Sequence, residues 1–371
     1  MDLSLVPKTE AIKYTGSKLK LLPHILSLSK RIGAESVFDG FSGSTRVSQA
    51  YAQRGCKVYA NDRAFYTKVF NTAFLLNKEP PETYRPLIDH LNSLPPAEGW
   101  FTENYGGDGD RRESSGGDGL KKPWQKKNTR KLDAIREEID RLNLDEITKA
   151  VALTSLMLAL DQVDNTLGHY ASYLNGWSSR SYRDLYLEVP GLWINKRENT
   201  VMNNDIFDAI DLLPRGIDVS YYDPPYGSNN EKMPPSRVRY ASYYHIWTTV
   251  CLNDRPKLFG RARRRDDSSD VIAGSVFEEF RRGQSGRFIV SEAIEKLIKK
   301  TSSRHIILSY SSGGKATADE LNEVLNAYGR IRAVETIDYR KNVMSTMKWT
   351  RDWTKETDEK NYEYLFLVEK Y

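Results

Sequence analysis

Cysteine is scarce in this chain. Cys56 and Cys251 are the two present in 371 residues, far apart and without a spacing pattern. That excludes a disulfide framework and points to reduced thiols in a cytoplasmic setting. The five histidines (His24, His90, His169, His245, His305) are scattered, so no Cys/His metal-ligand spacing arises and no metal is expected. Long apolar runs are missing too. The longest, Ala150 to Leu160, is interrupted by Thr154 and Ser155. It is too short to span a bilayer and reads as a buried helix. The N-terminal stretch has no signal-peptide pattern, and no internal repeat is visible.

What is present suits a globular, soluble protein: 39% hydrophobic and 28% charged residues. The length allows one large domain or two to three smaller ones. A net charge of +5 is a mild basic excess. It suits a polyanionic partner, yet many proteins with no nucleic-acid role share it.

The order of elements predicts an α/β fold. A helix is expected over Lys18–Arg31, stopped by Gly33. A strand Ser36–Asp39, a tight loop Gly40–Thr45, a helix Arg46–Arg54 and a second strand Cys56–Ala60 follow. Strands are also expected at 199–203, 217–222 and 304–310, with a closing antiparallel hairpin at 331–338 and 362–369. Residues 79–196 differ in character and read as a mainly helical insertion. It holds helices at 129–142 and 144–163 and a flexible loop at about 102–131, where six glycines, five acids and eight bases gather. The remainder, 1–78 and 197–371, forms the α/β part.

Asp223-Pro224-Pro225-Tyr226 follows the apolar run Ile217–Tyr222. Neither proline offers an N–H to a ladder, so the sheet stops there. The rigid turn holds an acid at one end and an aromatic ring at the other. Such a turn suits methylation of an exocyclic amine on a flipped-out base. The carboxylate and a proline carbonyl accept the two amine hydrogens, and the ring stacks on the base. Asp39-Gly40-Phe41-Ser42-Gly43-Ser44-Thr45 lies between a strand and a helix, where backbone and helix N-terminus approach a ligand. Asp62 ends the next strand, 19 residues after Gly43. An acid there commonly binds ribose hydroxyls. The loop lacks Gly-x-Gly-x-x-Gly, and no Gly-Lys-Ser/Thr follows it, which favours an adenosyl ligand without phosphates.

With these residues in view, the chain resembles the Dam-like adenine-specific DNA methyltransferases, which carry a helical target-recognition insertion ahead of an Asp-Pro-Pro-Tyr motif. Lys13-Tyr14-Thr15-Gly16-Ser17-Lys18 matches the family's N-terminal Lys-Tyr-x-Gly-Ser-Lys form. The resemblance implies a Rossmann-like methyltransferase sheet and S-adenosylmethionine as cofactor. It implies that Tyr14 and Lys18 line the cofactor's methionine end, and that Asp39, Phe41 and Gly43 form its loop. Asp62 becomes the ribose acid, and Asp205 and Ile206 the contacts to the cofactor's adenine. Asp223, Pro224, Pro225 and Tyr226 become the catalytic turn. One departure stands out: the family loop reads Phe-x-Gly-x-Gly, and here Thr45 occupies the last glycine position.

The expected reaction is direct in-line transfer of a methyl group to adenine N6 of a flipped-out base in double-stranded DNA, with no covalent enzyme intermediate. Cytosine N4, an RNA base, or a catalytically silent DNA-binding module are the alternatives. A cognate restriction endonuclease system is the expected partner, with a solitary phage or bacterial enzyme as the alternative, and no membrane is expected. Tyr240, Tyr243, Tyr244 and Trp247 either wall the base pocket or fill the core. Candidate phosphate binders are Lys121, Lys122, Lys126, Lys127, Arg130 and Lys131, then Arg261, Arg263, Arg264 and Arg265. Arg340, Lys341, Lys348 and Arg351 join them, with Trp349 and Trp353 interleaved. Asn165, His169, Tyr170, Ser179 and Arg180 either read base edges or build the insertion's core.

Overall fold

The computed structural model describes residues 6–225, 239–268, 275–279, 281–338 and 362–371. Helix α1 (Leu22–Arg31) starts four residues later than the pattern predicts, because Pro23 sits in its first turn, where a missing N–H costs nothing. Then come β1 (Ser36–Asp39), α2 (Arg46–Gln53), β2 (Lys57–Asn61) and α3 (Phe65–Asn71), which runs on as a π-helical turn, Thr72–Leu76. The segment 79–196 carries α4 (Arg85–Ser93), α5 (Trp100–Tyr105), the two-residue strands β3 (Gly106–Gly107) and β4 (Trp124–Gln125), α6 (Lys126–Arg141) and α7 (Glu146–Gln162). Strand β5 (Thr200–Met202), α8 (Ile206–Asp211) and β6 (Val219–Tyr222) follow. After them come α9 (Tyr240–Tyr243), α10 (His245–Leu252) and the short strands β7 (Leu258–Phe259) and β8 (Arg264–Arg265). Helix α11 (Ile289–Lys300), β9 (His305–Ser311), α12 (Ala318–Tyr328), β10 (Gly329–Asp338) and β11 (Tyr362–Lys370) complete the chain.

Seven strands form one sheet in the order β10-β11-β9-β6-β1-β2-β5. Five of them, from β9 to β5, run parallel. Strand β11 is antiparallel to both neighbours. The expected closing hairpin is therefore present, with its second arm inserted inside the sheet. Helices cover both faces, so the central strands β1 and β6 are buried almost throughout. Leu22, Ile25, Val47 and Tyr51 of α1 and α2 pack on one face; Ile206, Ile294, Leu297 and Leu325 of α8, α11 and α12 pack on the other. This is the Rossmann-like three-layer arrangement.

Strand order reverses between β1 and β6: the chain leaves β1 toward β2 and β5, then returns on β1's other side. A crevice opens at such a point, beyond the carboxyl ends of the strands. Topology alone thus brings the loop after Asp39 and the turn at Asp223 to one place.

The segment 102–131 is more ordered than the expected loop. Strands β3 and β4 pair, Ser115 bridges Lys121, and α6 already begins at Lys126. The anchors are apolar as well as polar. Trp124 is fully buried and donates its indole N–H to the Leu160 carbonyl at 3.0 Å, and the Lys122 side chain is buried with its ammonium on Asn104 O and Asp118. Residues of α3, α6, α7 and α10 share one core, among them Phe70, Leu132, Leu156 and Trp247.

Thr45 is left-handed, with φ of 63°. The departure from the family glycine therefore keeps the glycine-like backbone. A β-branched residue is strained there. Its N–H to Ser42 O at 2.6 Å and its hydroxyl, which accepts from Gln49 Nε2 at 2.8 Å, hold it in place.

Candidate active site

A cavity of about 390 Å³ fills the crevice. Of the residues singled out from the sequence, Tyr14, Lys18, Asp39, Phe41, Gly43, Asp62, Asp205, Ile206, Asp223 and Pro225 line it. Pro224 is buried beside them, and Tyr226 lies outside the described residues.

The loop after β1 is shaped by close approach. A Cβ on Gly40 would stand 2.7 Å from the Tyr222 ring and 2.8 Å from Ile206. Gly43 has φ of +48°, and a Cβ there would press on Tyr14 at 3.1 Å. Asp62 Oδ2 accepts from Gly43 N, and its Oδ1 from Ala64 N, both at 2.8 Å. The loop and the end of β2 are therefore one unit. Burial raises the Asp62 carboxyl, against the lowering effect of those N–H groups.

Asp39 is fully buried. Its Oδ2 accepts from Ser48 Oγ at 2.6 Å, and its Oδ1 has no hydrogen-bond partner among the described residues. Burial pushes this acid up to about 7, with Ser48 pulling the other way. An unpartnered buried carboxylate oxygen on a ligand cavity is costly unless a ligand donates to it.

The segment 13–18 is strapped over the crevice from several sides. Asp161 accepts from Lys13 N at 2.9 Å, Asp164 from Lys13 Nζ at 2.8 Å, and Tyr244 OH from Thr15 N at 2.6 Å. The Tyr14 ring stacks on Tyr244 and Tyr240, at centroid distances of 4.5 and 5.4 Å. The strap ends on Lys18. Its ammonium lies 2.7 Å from Asp223 Oδ2, 3.0 Å from the Gly16 carbonyl and 3.5 Å from Glu363 Oε1. The second Asp223 oxygen, Oδ1, is buried and unpartnered among the described residues. Burial raises the Asp223 carboxyl well above the usual range; Lys18 lowers it and Glu363 raises it further.

The aromatic cluster divides. Tyr240 and Tyr244 line the cavity, whereas Trp247 is core and Tyr243 stacks on His169 at 4.5 Å. The residues weighed as base readers are mostly built into the segment 161–182. Arg180 bonds Asp164 and the Thr166 carbonyl, Asn165 accepts from Ser178 N, and Tyr170 is buried. Several expected phosphate binders are occupied as well. Lys122 is buried, Lys131 donates to Asn92 O and Leu94 O, and Arg265 is held between Asp254 and Asp267. Lys127 and Arg130 bind Asp184 and Glu98. Lys121 and Arg261 instead face a cleft of about 400 Å³ that Tyr173 also lines. Arg340, Lys341, Lys348, Trp349, Arg351 and Trp353 lie outside the described residues.

Sequence reasoning missed Glu363. The signal was there: in Glu363-Tyr364-Leu365-Phe366-Leu367 the acid shares the inward register of Leu365 and Leu367.

Residues 14–300 match the family model for D12 class N6 adenine-specific DNA methyltransferases. Modification methylase StsI of Streptococcus sanguinis is 27% identical over 97% of this chain and 52% of its own length. Type II methyltransferase M.FokI of Planomicrobium okeanokoites is 26% identical, covering 97% of this chain and 53% of its own. Type II methyltransferase M.NlaIII of Neisseria lactamica is 25% identical, with 97% and 99% covered. The chain thus spans about half of StsI and M.FokI and nearly all of M.NlaIII. S-adenosylmethionine is the cofactor of such enzymes, and the unpartnered Asp39 oxygen and the glycine-shaped loop fit it. By its matched residues and its crevice, the chain belongs to the D12 class N6 adenine-specific DNA methyltransferases.

Proposed function

We propose that this protein methylates adenine N6 at a specific site in double-stranded DNA, on a base flipped into the crevice. The observation that carries it is the state of Asp223: Oδ2 is held by Lys18, and Oδ1, beside the cavity, has no partner among the described residues. When bound, S-adenosylmethionine supplies a methyl group on positively charged sulfur, and the new carbon–nitrogen bond forms as the carbon–sulfur bond breaks. The adenine amine is a poor nucleophile because its lone pair is delocalised into the ring. Asp223 Oδ1 accepts one amine hydrogen and the Pro224 carbonyl the other, which favours pyramidal nitrogen and meets the growing positive charge with fixed negative dipoles. The raised proton affinity of Asp223 suits it to take the proton that the methylated amine releases. Asp39 holds the cofactor's ammonium, Asp62 its ribose, and Asp205 and Ile206 its adenine. Tyr14 shields the transfer from water, and Tyr226 stacks on the base.

The segment 79–196 is assigned to target recognition, with Lys121 and Arg261 on phosphates. We place the enzyme in the cytoplasm, with a cognate restriction endonuclease as its partner. The names of the relatives, modification and type II methylases, support that pairing. No helix among the described residues is long and apolar enough to cross a membrane.

The test is to methylate unmodified genomic DNA with labelled cofactor and digest it to nucleosides. Label in N6-methyldeoxyadenosine is expected; label on cytosine, or transfer to RNA alone, would overturn the reading.

A further inference from the structure

An antiparallel strand inserted among parallel ones starts where they end. Residue 363, at the start of β11, therefore lies at the carboxyl edge that holds the crevice. Glu363 is an acid there with 4% exposure. Its Oε1 accepts from Ser309 Oγ at 2.7 Å and lies 3.5 Å from Lys18 Nζ. Accepting an amine hydrogen requires one carboxylate, Asp223. The row Asp223–Lys18–Glu363 contains two, both largely withdrawn from water, where charges act on each other strongly. Without Glu363, Asp223 would be the one carboxylate on this ammonium among the described residues, and the ammonium's full charge would weaken it as an acceptor. A second carboxylate on the same ammonium opposes that effect and adds to the Gly16 carbonyl in holding the ammonium in place.

We propose that Glu363 is a positioning residue for methyl transfer: anchored by Ser309, it fixes Lys18 on Asp223 Oδ2 and offsets its charge, leaving Oδ1 a strong acceptor for the amine. This rests on the reading of Asp223 given above. Among the described residues, the titratable groups that act on Asp223 are Lys18 from the strap, Glu363 from β11, Asp39 from β1 and Tyr221 from β6. Of the acids among them, Glu363 is bound to the same ammonium.

The test uses the full chain, S-adenosylmethionine and unmethylated genomic DNA. Glu363→Gln keeps an acceptor for Ser309 and removes the charge. Its kcat is expected to fall about tenfold, with KM for S-adenosylmethionine within about twofold of wild type. The acid limb of its kcat–pH profile is expected at lower pH, because the negative neighbour that raised Asp223 is gone. Glu363→Asp, which keeps the charge, is expected to restore the limb. Wild-type kcat and limb in Glu363→Gln would overturn the proposal. So would equal losses in both variants with an unmoved limb, which is the signature of packing alone. Should Glu363→Gln fail to fold by thermal melting, Ser309→Ala carries the test: unhooking Glu363 is expected to lower kcat about threefold, and wild-type kcat would overturn the proposal. Asp223→Ala, run alongside, separates the two readings. Turnover retained there sinks the role of Asp223 itself; turnover lost there with a wild-type Glu363→Gln sinks the role of Glu363 alone.

Discussion

Lys18 Nζ sits 2.7 Å from Asp223 Oδ2, in a place where the Lys18 side chain is 7% exposed and that of Asp223 is 17% exposed. The ammonium lowers the proton affinity of an acid that burial raises. Removing it leaves two neighbouring acids without their cation. Lys18→Met is therefore expected to cost about 3 kcal/mol of stability at pH 8, near the low end for a broken buried pair. The loss is expected to shrink toward pH 5, where Asp223 takes up a proton. Denaturant unfolding at the two pH values checks this.

Asp39 carries a similar tension, with no ion pair among the described residues. Its folded value of about 7 lies above its unfolded value, so the folded state binds more protons in between. Stability contributed by this group is present below the unfolded value and declines as pH rises toward 7. Asp39→Asn removes that decline. It is expected to raise Tm at pH 8 more than at pH 5, while weakening S-adenosylmethionine binding by about tenfold or more, a stability–function trade. Calorimetry with the cofactor and thermal melts at both pH values give the two readouts.

Thr45 tests the loop backbone. Left-handed threonine costs about 1–2 kcal/mol, offset in part by its bond to Gln49. Thr45→Gly sheds both and is expected to lie within about 1 kcal/mol of wild type. Thr45→Val keeps the strain and loses the bond, and is expected to cost about 1–2 kcal/mol. Equal effects in urea melts would argue against the left-handed geometry.

Much of this site was legible in the chain because its signals are local. Two prolines stop a strand at Asp223, glycines mark a loop that must approach a ligand, and an acid ends the next strand. Each motif needs only a strand end, and the α/β pattern supplied those. The surface was less legible. Lys122, Lys131 and Arg265 look like phosphate binders in the sequence, and Arg180 like a base reader, yet each is spent on a carbonyl or acid brought from elsewhere in the chain. Glycine-rich 106–119 reads as a loop until Trp124 and Lys122 are seen to anchor it. Glu363 carries no local signal of its role, because its partner Lys18 is 345 positions away.

Those corrections alter what a DNA-binding experiment should remove. Deleting 106–122 would take out the buried Ser114 and Lys122 and unfold the region. Lys121→Ala and Arg261→Ala, in the cleft with Tyr173, leave the core intact. Each is expected to reduce the slope of log K against log salt by about one and to weaken binding evenly across sequences. Lys122→Ala is expected to lower Tm instead. Fluorescence anisotropy over a salt series, with melts in parallel, distinguishes them.

Asp223 Oδ1, without a partner among the described residues, is the central acceptor for the amine. Single-turnover methylation of unmethylated DNA by Asp223→Ala, with calorimetric titration of S-adenosylmethionine on the same sample, addresses it directly. The expected result is a rate reduced by about 10³ or more, in line with the loss of a preorganised charge at the reacting centre, with cofactor affinity within about threefold of wild type. Methyl transfer at a rate near wild type, or a rate loss matched by an equal loss of cofactor affinity, would contradict it.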